Sequence, residues 1–105
     1  MRSFLAVLGL AALAATALPA ADVAAGKAAY DKSCKSCHGP DGAGNPAIAK
    51  AFKVELRDLK SSDVQSMSDA DLEKIITQGK GKMRPISSAA SAAPDIVAYL
   101  RSIKK

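Results

Sequence analysis

The chain has 105 residues, with 15 Lys and Arg against 10 Asp and Glu and a formal net charge of +5. Its two Cys allow at most one disulfide, which excludes a disulfide-rich scaffold. A domain of this size buries only about 60% of its unfolded surface, and four aromatic residues without Trp leave the core small. Nucleic-acid binding is not expected, because the sequence lacks basic runs interleaved with aromatic residues.

Residues 1–20 are predicted to be a secretory signal peptide. Arg2 precedes an apolar run over residues 4–15, and small residues follow, which is the order that export requires. Cleavage is expected within residues 17–21. The apolar run is too short and too rich in Ala for a comfortable membrane span. We therefore expect residues 21–105 to form a single exported domain with no stable membrane insertion.

A first helix is predicted over about residues 23–38. Gly26, Tyr30, Cys34 and Cys37 follow one another at intervals of four, four and three residues, which places them on one helix face. The next eight residues, GPDGAGNP, contain three Gly and two Pro and are predicted to form a loop.

Three further helical regions are predicted along the rest of the chain. A loose apolar period over residues 48–59 indicates one or two short helical turns. Ser68 is a suitable N-cap for a helix that stops near Gly79. Pro94 fits the first position of a last helix, whose inner face would contain Ile96, Tyr99, Leu100 and Ile103. The pattern predicts an all-α fold with three to five helices.

The segment CKSCH, residues 34–38, contains both cysteines and the only histidine. This pattern is compatible with a dithiol redox pair, a zinc site or covalent haem attachment. Reactive dithiols start a helix within a βαβ pattern, whereas this pair ends a predicted helix. Zinc prefers four ligands, and the segment supplies three. The spacing therefore favours one covalently bound haem c.

Haem also fits the chemistry of the segment. Thiols one helical turn apart, on Cys34 and Cys37, can form thioethers at one edge of the porphyrin. His38 then lies under the iron as the proximal ligand. The porphyrin supplies the apolar bulk that the composition lacks. Export agrees with this interpretation, because bacteria attach c-type haem outside the cytoplasm, and we expect a periplasmic location.

Because the chain has no second histidine, the candidates for the distal iron ligand are Met83, Met67, a lysine or no protein ligand, and a methionine is favoured. Met83 lies in the glycine-flanked stretch GKGKMRPI, which can approach the ring closely. Met67 is the alternative, although Met is also a common core residue. His/Met ligation is typical of a soluble electron carrier and not of an enzyme. An open iron site would instead indicate gas binding or weak peroxidase activity, and a haem-free chain would indicate a thiol redox protein.

Residues 22–105 closely resemble the small class I c-type cytochromes of bacteria. The stretches that carry the resemblance are AAGKAAYDKSCKSCHGPDGAGNP, LKSSDVQSMSDADLEKIITQGKGKM in its general pattern, and IVAYLRSI. The resemblance implies the cytochrome c fold, in which several helices wrap one haem and the N- and C-terminal helices cross. Gly26 and Tyr99 match the glycine and the aromatic residue that meet at this crossing.

The resemblance also bears on the two iron ligands. It implies a proline carbonyl that accepts a hydrogen bond from the proximal imidazole. Pro46 matches that proline, although Pro40 is nearer in sequence to His38. The family's methionine is often followed directly by proline, whereas Arg84 follows Met83 here.

The expected partners are redox proteins, such as a membrane reductase or a terminal oxidase or reductase, with the chain itself a monomer. Several basic residues flank the two ligand segments. A positive surface around an exposed haem edge would steer an acidic partner. An ordinary solvated basic surface would have the same sequence pattern, so both interpretations remain open at this stage.

Overall fold

The structure is a computed structural model that describes residues 21–105, and the predicted signal peptide lies outside the described residues. The described chain is helical, and its only β-type pairing is an isolated bridge between Lys80 and Met83. The elements are α1 (Val23–Ser33), α2 (Lys35–His38), α3 (Pro46–Phe52), α4 (Ser62–Gln65), α5 (Asp69–Gln78), a 3-10 helix η1 (Ser87–Ala92) and α6 (Ala93–Ser102).

The all-α prediction is therefore confirmed. The four segments of seven or more residues, α1, α3, α5 and α6, lie within the predicted range of three to five helices. Single-turn helices α2 and α4 are additional. The first predicted helix does not run continuously to His38, because the regular helix is interrupted at Cys34, which ends α1 and begins α2.

Side-chain caps fix the starts of α1 and α5, whereas α6 has none. The Asp22 carboxylate accepts hydrogen bonds from the backbone N–H groups of Ala24 and Ala25. The Ser68 hydroxyl accepts from Asp71 at 3.1 Å, which confirms the predicted N-cap of α5. Pro94 lies at the second position of α6 and not at the first, because the preceding 3-10 helix runs directly into Ala93.

The core forms where α1 crosses α6. A Cβ atom added at Gly26 would lie 1.9 Å from the carbonyl oxygen of Asp95, so only glycine permits this approach of the two backbones. The rings of Tyr30 and Tyr99 pack with centroids 5.2 Å apart and a tilt of 55°. The predicted crossing of the terminal helices is thus present, but Gly26 meets the backbone of Asp95 and Ile96, and Tyr99 packs against Tyr30.

Sequence analysis missed the 3-10 helix η1. Its sequence SSAASA has no apolar period of its own, and only Ala89 is buried, at 2% exposure. Small side chains allow this turn to fill the space beside α1, α5 and α6 without a large apolar residue. The segment is therefore defined by its neighbours rather than by its local sequence.

Arg101 joins α6 to the connection between α4 and α5. Its guanidinium donates to the carbonyl of Gln65 at 2.8 Å, to the carbonyl of Met67 at 2.6 Å and to the Asp69 carboxylate at 2.8 Å. The Gln65 side chain in turn donates to the carbonyl of Leu100 at 2.9 Å. This network fixes the backbone around Met67.

None of the helices within residues 21–105 is long and apolar enough to cross a membrane.

Candidate functional site

The CKSCH segment is a short turn attached directly to the core. Cys34 is buried, with 8% exposure, and its carbonyl accepts from the backbone N–H of Cys37 at 3.3 Å and of His38 at 2.9 Å. This hydrogen bonding places Cys34, Cys37 and His38 within one helical turn, as the sequence predicts. Both cysteines are free thiols. The segment therefore presents two thiols and an imidazole together.

The carbonyl groups that end this turn are all occupied. The backbone N–H of Gly39 donates to the Lys35 carbonyl at 2.8 Å. Asn45 donates twice, from its side-chain amide to the Ser36 carbonyl at 3.1 Å and from its backbone to the Cys37 carbonyl at 2.9 Å. Orphan carbonyls at a helix end usually need such partners, and here the following loop provides them.

Two further hydrogen bonds pair the remaining carbonyls of this segment, those of His38 and Gly39. The backbone N–H of Gly44 donates to the His38 carbonyl at 2.7 Å. The buried hydroxyl of Tyr30 donates to the Gly39 carbonyl at 2.6 Å. The five consecutive carbonyls of residues 35–39 are thus each paired. Sequence analysis missed Asn45 and the Tyr30 hydroxyl as contributors, although the Asn-Pro pair at the end of the loop was a signal for a helix start.

Among the described residues, the imidazole of His38 carries the one buried side-chain nitrogen or oxygen that is left unpaired. Its Nδ1 atom is buried and has no hydrogen-bond partner among the described residues, so the bond to a carbonyl of Pro46 or Pro40 is not formed in this structure. Burial lowers the pKa of His38 and keeps the ring neutral, which is the form that binds a metal. Because no protein hydrogen bond orients the His38 ring, a bond to iron could orient it.

The thiols do not match a redox pair or a zinc site. Burial, with a smaller contribution from Cys37, raises the pKa of Cys34 to about 11. Dithiol exchange needs a low thiol pKa, so this environment is of the opposite kind. Within residues 21–105, no group of three or more His, Cys, Asp and Glu side chains is placed to hold a metal ion. The donor set fits a group that brings its own metal and equatorial ligands, as haem does.

Met83 lies on a separate segment, a tight turn after α5. Lys80 and Met83 exchange two backbone hydrogen bonds of 3.0 Å. Gly81, at the first of the two central positions, has φ +58°, as a type II′ turn requires. The hydrogen bonds of Met83 run to Lys80, and none joins it to residues 34–38. We call residues 79–86 the Met83 hairpin.

The two candidate methionines differ in their surroundings. Both are partly exposed. Met67 packs against the core cluster, whereas Met83 does not belong to that cluster. The Met67 backbone is also held by Arg101. Met67 therefore already has a packing role, and the Met83 side chain is free to take another.

The Met83 hairpin is attached to α5 by a close contact. A Cβ atom at Gly79 would lie 2.5 Å from the Met83 carbonyl oxygen and 2.9 Å from the nitrogen of Pro85. Gly79 also has φ +78°, which disfavours a side chain. Beyond the turn, the N–H of Ile86 donates to the Ile76 carbonyl at 2.9 Å.

A helical fold with crossing terminal helices and a CKSCH turn defines a c-type cytochrome, and comparison with known proteins agrees. The model of the family cytochrome c oxidase, cbb3-type, subunit III, matches residues 21–100. The chain belongs to this family. A solved structure named KustC0563 c-type cytochrome is similar, with a TM-score of 0.64 and 25% sequence identity over 76% of this chain and 98% of that chain. No curated protein matches.

These findings confirm the predicted resemblance to small c-type cytochromes and the cytochrome c fold. A c-type cytochrome domain implies haem c as the cofactor and haem-based electron transfer as the general activity. Proteins of this class exchange electrons with redox partners.

Proposed function

We propose that the chain is an exported one-electron carrier with a single haem. Cys34 and Cys37 would attach the haem through thioethers, and His38 and Met83 would ligate the iron. The observation that supports this most strongly is the CKSCH turn, where five paired carbonyls hold two free thiols beside an unpaired neutral imidazole. When bound, the haem supplies a one-electron couple whose potential a methionine ligand raises.

The protein's own residues would position this group rather than react with a substrate. The carbonyl pairing keeps the turn in place, and the buried environment of His38 keeps its ring neutral. Because a ligand on each face of the haem leaves no open iron position, we propose a carrier and not an enzyme. The sequence of residues 1–20 supports export to the periplasm, where a terminal oxidase or a membrane reductase would be the partner.

Visible spectroscopy of the purified holoprotein tests this function. A sharp low-spin α-band in the reduced form, largely unchanged by carbon monoxide, is expected. Mass spectrometry should show covalent haem as an added mass of roughly 0.6 kDa. A high-spin spectrum that shifts strongly with carbon monoxide would favour an open-site haem protein instead.

Paired methionine variants test the distal ligand. Met83→Ala should convert the protein to a carbon-monoxide-binding form, since the axial sulfur is lost. Met67→Ala should retain the low-spin spectrum and lower the free energy of unfolding by about 1–2 kcal/mol, because its partly exposed side chain packs against the core. The opposite assignment of the two spectra would identify Met67 as the ligand.

A further inference from the structure

Residues 42–59 form a loop whose two ends are joined. The backbone N–H of Leu59 donates to the Gly42 carbonyl at 2.9 Å, which closes the loop. Just inside this closure, a Cβ atom added at Gly44 would lie 3.0 Å from the Cβ atom of Leu56. The two legs of the loop therefore run side by side before they separate around α3.

This loop has almost no share in the core. Gly42 is its only buried residue, and α3 has none. Of the apolar side chains in the loop, only that of Leu59 packs against the core cluster. Residues 43–57 form no ion pair within the described part of the chain. Because segments with few buried contacts open easily, the position of this loop depends on hydrogen bonds at a few points.

Asn45 attaches one end of α3 to the CKSCH turn. Its side-chain amide donates to the Ser36 carbonyl at 3.1 Å, and its backbone N–H donates to the Cys37 carbonyl at 2.9 Å. The amide oxygen of the same side chain accepts from the backbone N–H of Ala47 at 3.0 Å and so caps α3. One side chain thus joins the start of this helix to the turn that carries the proposed haem-binding residues.

Lys82 attaches the other end of α3 to the Met83 hairpin. Its ammonium group donates to the carbonyl oxygen of Phe52, the last residue of α3. A cation at the C-terminus of a helix also meets favourable partial charge. Among residues 21–105, this is the one hydrogen bond that joins residues 46–57 to the chain outside the loop. The far end of the loop is therefore bonded to the residue next to Met83.

We propose that residues 42–59 are a strap that joins the two ligand segments, with Asn45 and Lys82 as its positioning residues. This inference rests on the proposed function, because it gives the strap the task of holding Met83 near the iron. Neither α3 nor Met83 belongs to the core cluster, so the two are held mainly through each other. Loss of either attachment should free the strap, and the Met83 hairpin would then leave the iron more often.

Hydrogen exchange of the holoprotein, followed by NMR, measures the Lys82 attachment. Lys82→Ala should lower the protection of the Met83 and Val54 amides by about fivefold, as expected for the loss of one hydrogen bond. Lys80→Ala is the matched control, because it removes the same charge from the same hairpin, while the Lys80 side chain makes no hydrogen bond to another described residue. It should change the protection of both amides by less than about twofold.

Asn45→Asp tests whether the strap couples its two ends. The new carboxylate can still accept from Ala47 and cap α3, but it has no donor for the Ser36 carbonyl. The protection of the Met83 amide should fall by at least about twofold, although Asn45 makes no hydrogen bond to the Met83 hairpin. An unchanged Met83 amide in Asn45→Asp, or equal effects of Lys82→Ala and Lys80→Ala, would overturn the inference.

Binding of imidazole to the oxidised holoprotein tests what the strap holds. Imidazole needs a free position on the iron, so its apparent affinity follows the fraction of molecules in which Met83 is displaced. Lys82→Ala should therefore raise this affinity by about fivefold. Lys82→Arg keeps a donor for the Phe52 carbonyl and should bind imidazole as the wild type does.

The two measurements separate the possible failures. Coupled losses of protection with an unchanged imidazole affinity would contradict Met83 as the iron ligand and leave the strap supported. A raised imidazole affinity in Lys82→Ala without any loss of protection at Val54 would support Met83 as the ligand and overturn the strap.

Discussion

The CKSCH turn and the Met83 hairpin each present one candidate iron ligand, but they are built differently. Around His38, five consecutive carbonyls are paired with the loop that follows and with the buried hydroxyl of Tyr30. The Met83 hairpin is held by one backbone pair with Lys80, by the contact of Gly79 with Met83 and by one bond from Ile86.

This difference separates two requirements of a small haem protein. The proposed covalent attachment would need both thiols close together, and the paired carbonyls hold the turn that carries them, while the His38 ring is left for the iron to orient. A methionine ligand needs only to approach the iron after attachment, so a short hairpin outside the core is sufficient. We expect damage to the CKSCH side to reduce stability, and damage to the hairpin to alter ligation first.

The largest expected effect comes from removing the core support of the CKSCH side. Tyr99→Ala should lower the free energy of unfolding by about 3–5 kcal/mol, because its ring packs against Tyr30, whose hydroxyl holds Gly39. Denaturant unfolding of the holoprotein measures this loss. A cost below about 1 kcal/mol would place Tyr99 outside the core.

Gly79→Ala probes the hairpin side. The new Cβ would lie 2.5 Å from the Met83 carbonyl oxygen, so we expect the hairpin to shift, the low-spin spectrum to be lost in part, and stability to fall by about 2–3 kcal/mol. Gly81→Ala is the control, because nothing lies within 4 Å of its Cβ position. It should cost about 1 kcal/mol from its positive φ alone. Equal spectra in the two variants would contradict the role of Gly79.

Tyr30→Phe tests the hydrogen bond from Tyr30 that supports the CKSCH turn. Removing the hydroxyl leaves the Gly39 carbonyl with only the long bond of 3.4 Å from the backbone N–H of Gly42, which should cost about 1–3 kcal/mol and shift the proton resonances of the His38 ring by NMR. Burial raises the pKa of Tyr30 well above its usual value, so this hydroxyl remains a donor at all ordinary pH.

Tyr99→Phe is the matched control for that variant, because the Tyr99 hydroxyl makes no hydrogen bond to another described residue. It should leave the His38 resonances in place. If both tyrosine-to-phenylalanine changes moved these resonances equally, the Tyr30 bond would have no specific role at the imidazole.

The smallest expected effect is a dependence on pH. The backbone N–H of Lys60 and then the Lys105 side chain hold the pKa of Asp58 below its ordinary value. This carboxylate therefore adds stability above its unfolded pKa of about 3.9 and loses it as the pH falls through the folded pKa. Lys60 also donates to the carbonyl of Asp41, in the loop after CKSCH. Asp58→Asn should be less stable than wild type near neutral pH, and the gap should close in acid. A gap that persists below about pH 2 would contradict this account.

The parts predicted from sequence are those that local patterns specify. Residue spacing identified the CKSCH segment, the family resemblance implied that Gly26 meets the last helix, and Ser68 marked the start of α5. The 3-10 helix and the Arg101 network could not be predicted, because they depend on which distant carbonyls tertiary folding brings within reach.

In the candidate site, too, local sequence patterns specify one part and tertiary contacts specify the other. The three residues of CKSCH that would bind haem are adjacent in sequence, so their proximity was predictable. The bonds from Tyr30 and Asn45 that fix them cross nine residues each, and no sequence pattern specifies such pairs. The sequence already favours Met83 over Met67 as the proposed distal ligand, and the structure adds that the core uses the Met67 side chain.

The start of the described chain is joined to its last helix by one bond. The backbone nitrogen of Asp22 donates to the Asp95 carboxylate at 2.8 Å. Leader removal just after Ala21 would turn this amide into an ammonium group and the neutral contact into an ion pair. If the proposed export includes this cleavage, the mature N-terminus would hold the start of α1 to α6 more strongly than the precursor does.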